Sequence, residues 1–102
     1  MPEYQVYYKK DIRLTVEEAI KNFPENYVPV MRLNEENLED VYFEMQGEQW
    51  SPNGEARRAI KDLGLSHTSI MIGDIVEEIK TGRQFIVDWI GFEVNPKEQN
   101  ED

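Results

Sequence analysis

Tyr4, Val6 and Tyr8 alternate with Glu3, Gln5, Tyr7 and Lys9. That period of two, in β-forming residues, predicts a strand over 3–9. The period then lengthens. Val16, Ala19, Ile20 and Phe23 recur at i, i+3, i+4 and i+7, one apolar face of a helix. Thr15 and Glu18 form a capping box at its start, and Pro24 stops it. Tyr27 to Leu33 reads as a second strand, which Pro29 restricts to an edge or a late start. A second helix is expected from Asn34 to about Gly47, with Leu38, Val41, Tyr42 and Met45 on its apolar side.

Gln49 to Gly54 reads as a turn-rich loop carrying Trp50. A third helix follows over about 55–63, with Ala56, Ala59, Ile60 and Leu63 as its stripe and Gly64-Leu65 as its left-handed cap. Residues 70–79 are β-rich, Lys80-Thr81-Gly82 is a hairpin turn, and Gln84 to Val94 is the return strand. The phase of that strand changes. Phe85, Val87 and Trp89 are odd-numbered, whereas Ile90, Phe92 and Val94 are even. A one-residue slip flips faces, so a β-bulge is expected beside Gly91. The order β-α-β-α-α-β-β gives an α+β fold: a mostly antiparallel sheet with helices packed on one face.

At 102 residues the chain fits one domain, expected over 1–95, with 96–102 as a disordered acidic tail. Lys+Arg number 11 and Asp+Glu 21, so the net charge is 11 − 21 = −10. That balance argues against direct nucleic-acid binding and against attraction to anionic lipid. With no cysteine and one histidine, thiol chemistry, Cys-ligated zinc and His-rich metal sites are excluded, and no cofactor or metal is expected. No stretch approaches a bilayer span, and Met1-Pro2-Glu3-Tyr4 has no signal-peptide pattern, so a cytoplasmic location is expected.

The charge is uneven. Between Leu33 and Ser51 lie six acids (Glu35, Glu36, Glu39, Asp40, Glu44 and Glu48) and no base. On a helix from Asn34, Glu36, Asp40 and Glu44 would recur every four residues on one face, rising roughly 6 Å each time. The face is either a solvated surface or a docking surface for a basic partner. Phe43 falls off the apolar stripe beside these acids, and Trp50 follows them, so both are candidate apolar anchors.

Candidates for chemistry are fewer. His67 sits among Ser66, Thr68 and Ser69, and Asp74 follows Gly73. A hydrolase would use His67 with Ser66, Ser69 or Asp74. The competing reading makes the hydroxyls backbone partners and Asp74 a turn residue. Arg57, Arg58 and Lys61 form a local basic cluster diluted by Glu55 and Asp62.

Leu38-Glu39-Asp40-Val41-Tyr42, Gln49-Trp50-Ser51, the run from Ser66 to Val76, and Val87-Asp88-Trp89-Ile90-Gly91-Phe92 together resemble a family of small phage, mobile-element and bacterial proteins. Its hallmark is a His or Arg, a Ser/Thr run, then Gly-Asp before two β-branched residues, with a closing Gly-Phe. The resemblance spans roughly 27–94. Two departures stand out: Met45-Gln46-Gly47-Glu48 replaces a polar Asn-His stretch, and Met71-Ile72 replaces smaller residues before Gly73. The family implies structural roles for Gly73, Asp74 and Gly91 and a mobile-element origin, and it has no settled catalytic activity to carry over. The expected function is therefore a non-catalytic acidic protein that occludes a basic surface of a host nucleic-acid-processing protein, such as RNA polymerase or a defence nuclease. A DNA mimic that inhibits restriction or CRISPR machinery is the nearest alternative. A monomer or weak homodimer is expected, the latter through a Tyr4–Tyr8 edge.

Overall fold

Alternating β-formers at both ends of the chain and short capped helices between them build one antiparallel sheet, ordered β2-β1-β3-β4-β5. The computed structural model describes residues 1–88 and 91–94. Its strands are β1 (Glu3–Lys9), β2 (Tyr27–Asn34), β3 (Ile75–Glu78), β4 (Gln84–Asp88) and β5 (Gly91–Val94). Its helices are α1 (Val16–Lys21), α2 (Leu38–Glu44), α3 (Gly47–Trp50) and α4 (Arg57–Asp62). The α+β class and antiparallel sheet are those expected. No helix among the described residues is long and apolar enough to cross a membrane.

Local chemistry explains the helix ends. Glu18 N–H donates to Thr15 Oγ1 at 3.1 Å and Thr15 N–H to Glu18 Oε1 at 2.9 Å, the reciprocal capping box at α1. α2 starts later than expected. Asn37, not Asn34, caps it by accepting from Asp40 N–H at 2.9 Å, while Asn34 stays paired with Glu3 in the sheet. α4 ends in the left-handed cap: Gly64 has φ +78, and Leu65 N–H reaches Ile60 O at 3.0 Å.

β2 is an edge strand, as Pro29 requires, and its register shifts where Val6 pairs with Met31 but Tyr7 with Pro29. Four readings change. The return strand is two strands: Asp88 pairs with Gly91, so the phase change at Gly91 marks a hairpin and not a bulge. β1 lies between β2 and β3, which closes the Tyr4–Tyr8 route to strand-paired dimers. Within 70–79 only 75–78 is strand, because Met71 to Asp74 form a turn. Trp50 lies on α3, a single turn, not in a loop. Trp89, Ile90 and the tail expected at 96–102 lie outside the described residues.

Both sheet faces are covered. Val6, Tyr8, Val76 and Val87 face α2 and α4, burying Val41, Met45, Ala56 and Ile60. Ile75 and Ile86 face the other way, onto Ala19 and Ile20 of α1. The helices therefore do not pack on one face, as expected, but divide between the two, because adjacent residues on β3 point to opposite sides.

Candidate functional site

α2 has three sides. Leu38, Val41 and Met45 pack toward the sheet. Phe43 is 55% exposed and stands four residues after Glu39 and three after Asp40, so these neighbours share a helix surface. Asp40 and Glu44, four apart, lie outward and are exposed. Burial, then repulsion from Glu44 and Asp40, holds the Glu35 carboxyl above its ordinary range. Among the described residues, ion pairs join Arg13 to Asp11 and Arg32 to Glu3, and His67 hydrogen-bonds Asp74, so none of these neutralises an α2 acid.

The anticipated row splits. Glu36 precedes the helix, and with Glu39 it lines a groove between α2 and the sheet. Glu48 is exposed on α3. Trp50 leaves the group: it is half-buried against the core and donates its indole N–H to Thr68 O at 3.1 Å. Tyr42, expected on the apolar stripe, is 42% exposed and meets Phe92 edge-on at 6.3 Å. Arg57, Arg58 and Lys61 remain exposed on α4, away from this surface.

A second polar cluster is largely internal. Met71 to Asp74 is a tight turn closed by Asp74 N–H on Met71 O at 3.0 Å, with Gly73 at φ +94 as its third residue. That φ is the glycine position of a type II turn. The turn sends the Asp74 carboxylate inward, where it is fully buried. Oδ1 accepts from Lys9 N–H at 2.8 Å, and Oδ2 accepts from Met71 N–H at 2.9 Å. His67 Nε2 lies 2.9 Å from the same Oδ2. A carboxylate only accepts, so Nε2 carries the proton.

Aromatic groups enclose this cluster. The Tyr8 ring stacks on His67 at 4.5 Å, and its hydroxyl donates to Thr68 O at 2.7 Å. Tyr27 donates to Gly73 O at 2.8 Å. Burial, then the Asp74 charge, pushes both phenols well above their ordinary range. His67 Nδ1 is buried with no hydrogen-bond partner, and Ser69 Oγ accepts from Gly47 N–H at 2.7 Å. The histidine and aspartate that the hydrolase reading needs are together, but no serine hydroxyl hydrogen-bonds to the histidine among the described residues. As built, Asp74 ties β1, the 67–71 loop and its own turn into one unit.

Sequence reasoning placed Asp74 in a turn with backbone amides. The hydrolase reading names His67 with Asp74, but periodicity does not bring the two together, because a separation of seven across a turn belongs to neither helix nor strand spacing. The one available signal was Gly73, the residue that permits the turn. No protein-family model, curated protein or solved structure matches the chain.

Proposed function

We propose that the protein is a non-catalytic interaction module that covers a basic surface of a nucleic-acid-processing protein with the outward side of α2. The observation carrying this reading is Phe43, 55% exposed beside Asp40 and Glu44 on a stretch of chain with no base. Burying a phenylalanine side chain stabilises a complex by roughly 1.5–3 kcal/mol. The surrounding carboxylates steer a positively charged partner and reject acidic ones. Carboxylates on this face stand where phosphates would stand on the same basic partner. The host and mobile-element setting comes from the family resemblance.

The test is a reversal. Asp40→Lys, Glu44→Lys and Phe43→Ala are combined, and binding to the partner captured from host lysate is measured at two salt concentrations. Binding weakened by salt, competed by duplex DNA and lost in the triple variant supports the reading. A triple variant that keeps its fold by circular dichroism and still binds refutes it.

A further inference from the structure

α4 is an exception in an acidic chain. Arg57, Arg58 and Lys61 are all exposed, and their spacing of three and four residues puts them on one side of the helix. The chain has 21 acids for 11 bases, yet among the described residues no ion pair takes up any of these three. Glu55, the nearest acid before them, turns both carboxylate oxygens to the Asn53 N–H, at 3.0 and 3.1 Å.

Two hollows meet here, of about 440 and 480 Å3, and Gly54 and Arg57 stand in the wall of both. The first is bounded by Gly47, the turn from Ser51 to Gly54, Arg57 and Thr68. No acid lines it, whereas Asp62 lines the second. Sites for small molecules run from roughly 300 to 1,000 Å3, so the first hollow is large enough to hold one.

The Arg57 side chain is already placed over it. Gly54 has φ +82, and a β-carbon there would stand 3.3 Å from Arg57 Nη2 and 3.4 Å from Cζ. The guanidinium therefore folds back over the turn, where any side chain at position 54 would crowd it. A fork held in this way loses less freedom when it binds. Asn53 and Thr68 add an amide and a hydroxyl to the same lining.

These groups define the ligand. A guanidinium takes an oxyanion through two parallel N–H bonds. The remaining polar groups come from other directions, Asn53 from the turn and Thr68 from the loop before β3. A tetrahedral phosphate has oxygens for several directions, whereas a carboxylate has two in one plane. The net charge of −10 opposes a polyanion more with each added phosphate. A ligand with a single phosphate group keeps the local attraction and escapes most of that penalty.

We propose that the first hollow binds the phosphate group of a small phosphomonoester. Arg57 is its bidentate donor, Asn53 and Thr68 are the side donors, and Arg58 and Lys61 raise the local potential. The site stands apart from the docking reading, which uses α2.

Inorganic phosphate and O-phosphoserine are the probes, each titrated into the full chain at constant ionic strength and followed in 1H–15N spectra. Saturable shifts are expected at the Asn53, Gly54 and Arg57 amides, with a Kd of about 1 mM. O-phosphoserine should bind more tightly, since the hollow has room for its organic part. Arg57→Gln is expected to weaken binding about tenfold and Arg57→Lys, which keeps the charge but not the fork, about fivefold. Arg58→Gln, outside the first hollow, should cost less than about threefold, and acetate should bind about tenfold more weakly than phosphate. Circular dichroism checks that each variant is folded. Equal losses from Arg57→Gln and Arg58→Gln reduce the site to a diffuse basic patch and overturn the proposal. Acetate binding as well as phosphate, tighter binding of inorganic phosphate than of O-phosphoserine, or no saturable shift at residues 53–57 overturns it too.

Discussion

Asp74→Asn replaces one atom of a buried carboxylate and tests whether that group holds the domain together. Three N–H groups converge on two oxygens: Lys9 on Oδ1, and Met71 and His67 on Oδ2. An asparagine offers one oxygen. If it faces Met71 and His67, its own NH2 points at Lys9 N–H, and that backbone donor is orphaned. If it faces Lys9, Met71 N–H is orphaned, and His67 must move its proton to Nδ1, which has no acceptor. Each orientation strands a buried backbone donor, at roughly 1–3 kcal/mol. The bonds that survive also lose their charge assistance, which is worth about half their strength. The sum is about 2–4 kcal/mol. In urea, with a slope of roughly 1–3 kcal/mol per molar, the midpoint should fall by about 1–2 M. Trp50 fluorescence reports the transition, since its indole is bonded to Thr68 beside the cluster. His67→Ala removes one donor and leaves two, so it should cost less, and a double-mutant cycle with Asp74→Asn should show coupling near 1 kcal/mol. A midpoint within about 0.3 M of the parent, with unchanged slope, refutes the assignment of Asp74 as the structural tie.

Two further substitutions probe the frame. Gly73→Ala places a β-carbon 2.9 Å from Lys9 Nζ at a backbone φ of +94; thermal unfolding should show a loss of about 1–3 kcal/mol. Thr15→Ala deletes the α1 cap and should cost about 1 kcal/mol, read as a lower melting temperature. The Glu18 carboxyl is held below its ordinary range by hydrogen bonds from the Thr15 backbone and side chain. Its contribution is therefore complete above the pH where an unfolded glutamate titrates, and it is lost as pH falls through the lower native value. Glu18→Gln, which removes the titrating group, should flatten that acid limb, and an acid limb identical to the parent's would refute the link.

Features set by neighbours in sequence were legible. The Thr15–Glu18 box, the Gly64 cap, the edge position of Pro29 and the Gly82 turn each follow from a local conformational demand. Asn37 outcompetes Asn34 as the α2 cap because pairing with Glu3 holds Asn34 in β2; that is a tertiary contact which the helix pattern does not encode. The same shift moves Glu36 off the helix and divides the acids between an outward side and a groove. Lys9 was expected to be polar and outward at the end of its strand, and it is instead 4% exposed. Its alkyl stem packs by Gly73 and its ammonium donates to Leu14 O at 3.4 Å. The site was half legible. Phe43 and the acids lie at the surface as expected, but Glu78, across the groove from α2, comes from a strand far along the chain.

The central place of β1 also governs when the protein can become stable during synthesis. β1 is made first and pairs with β2 soon after, but its other edge is completed by β3, whose residues come about seventy positions later. Until Ile75 to Glu78 leave the ribosome, that edge remains unpaired, and the Lys9 N–H has no carboxylate to meet. Such long-range closure slows folding and leaves an open strand in the nascent chain. A chain arrested after α4 is a natural client for chaperones, and one extended through β4 is ready to close.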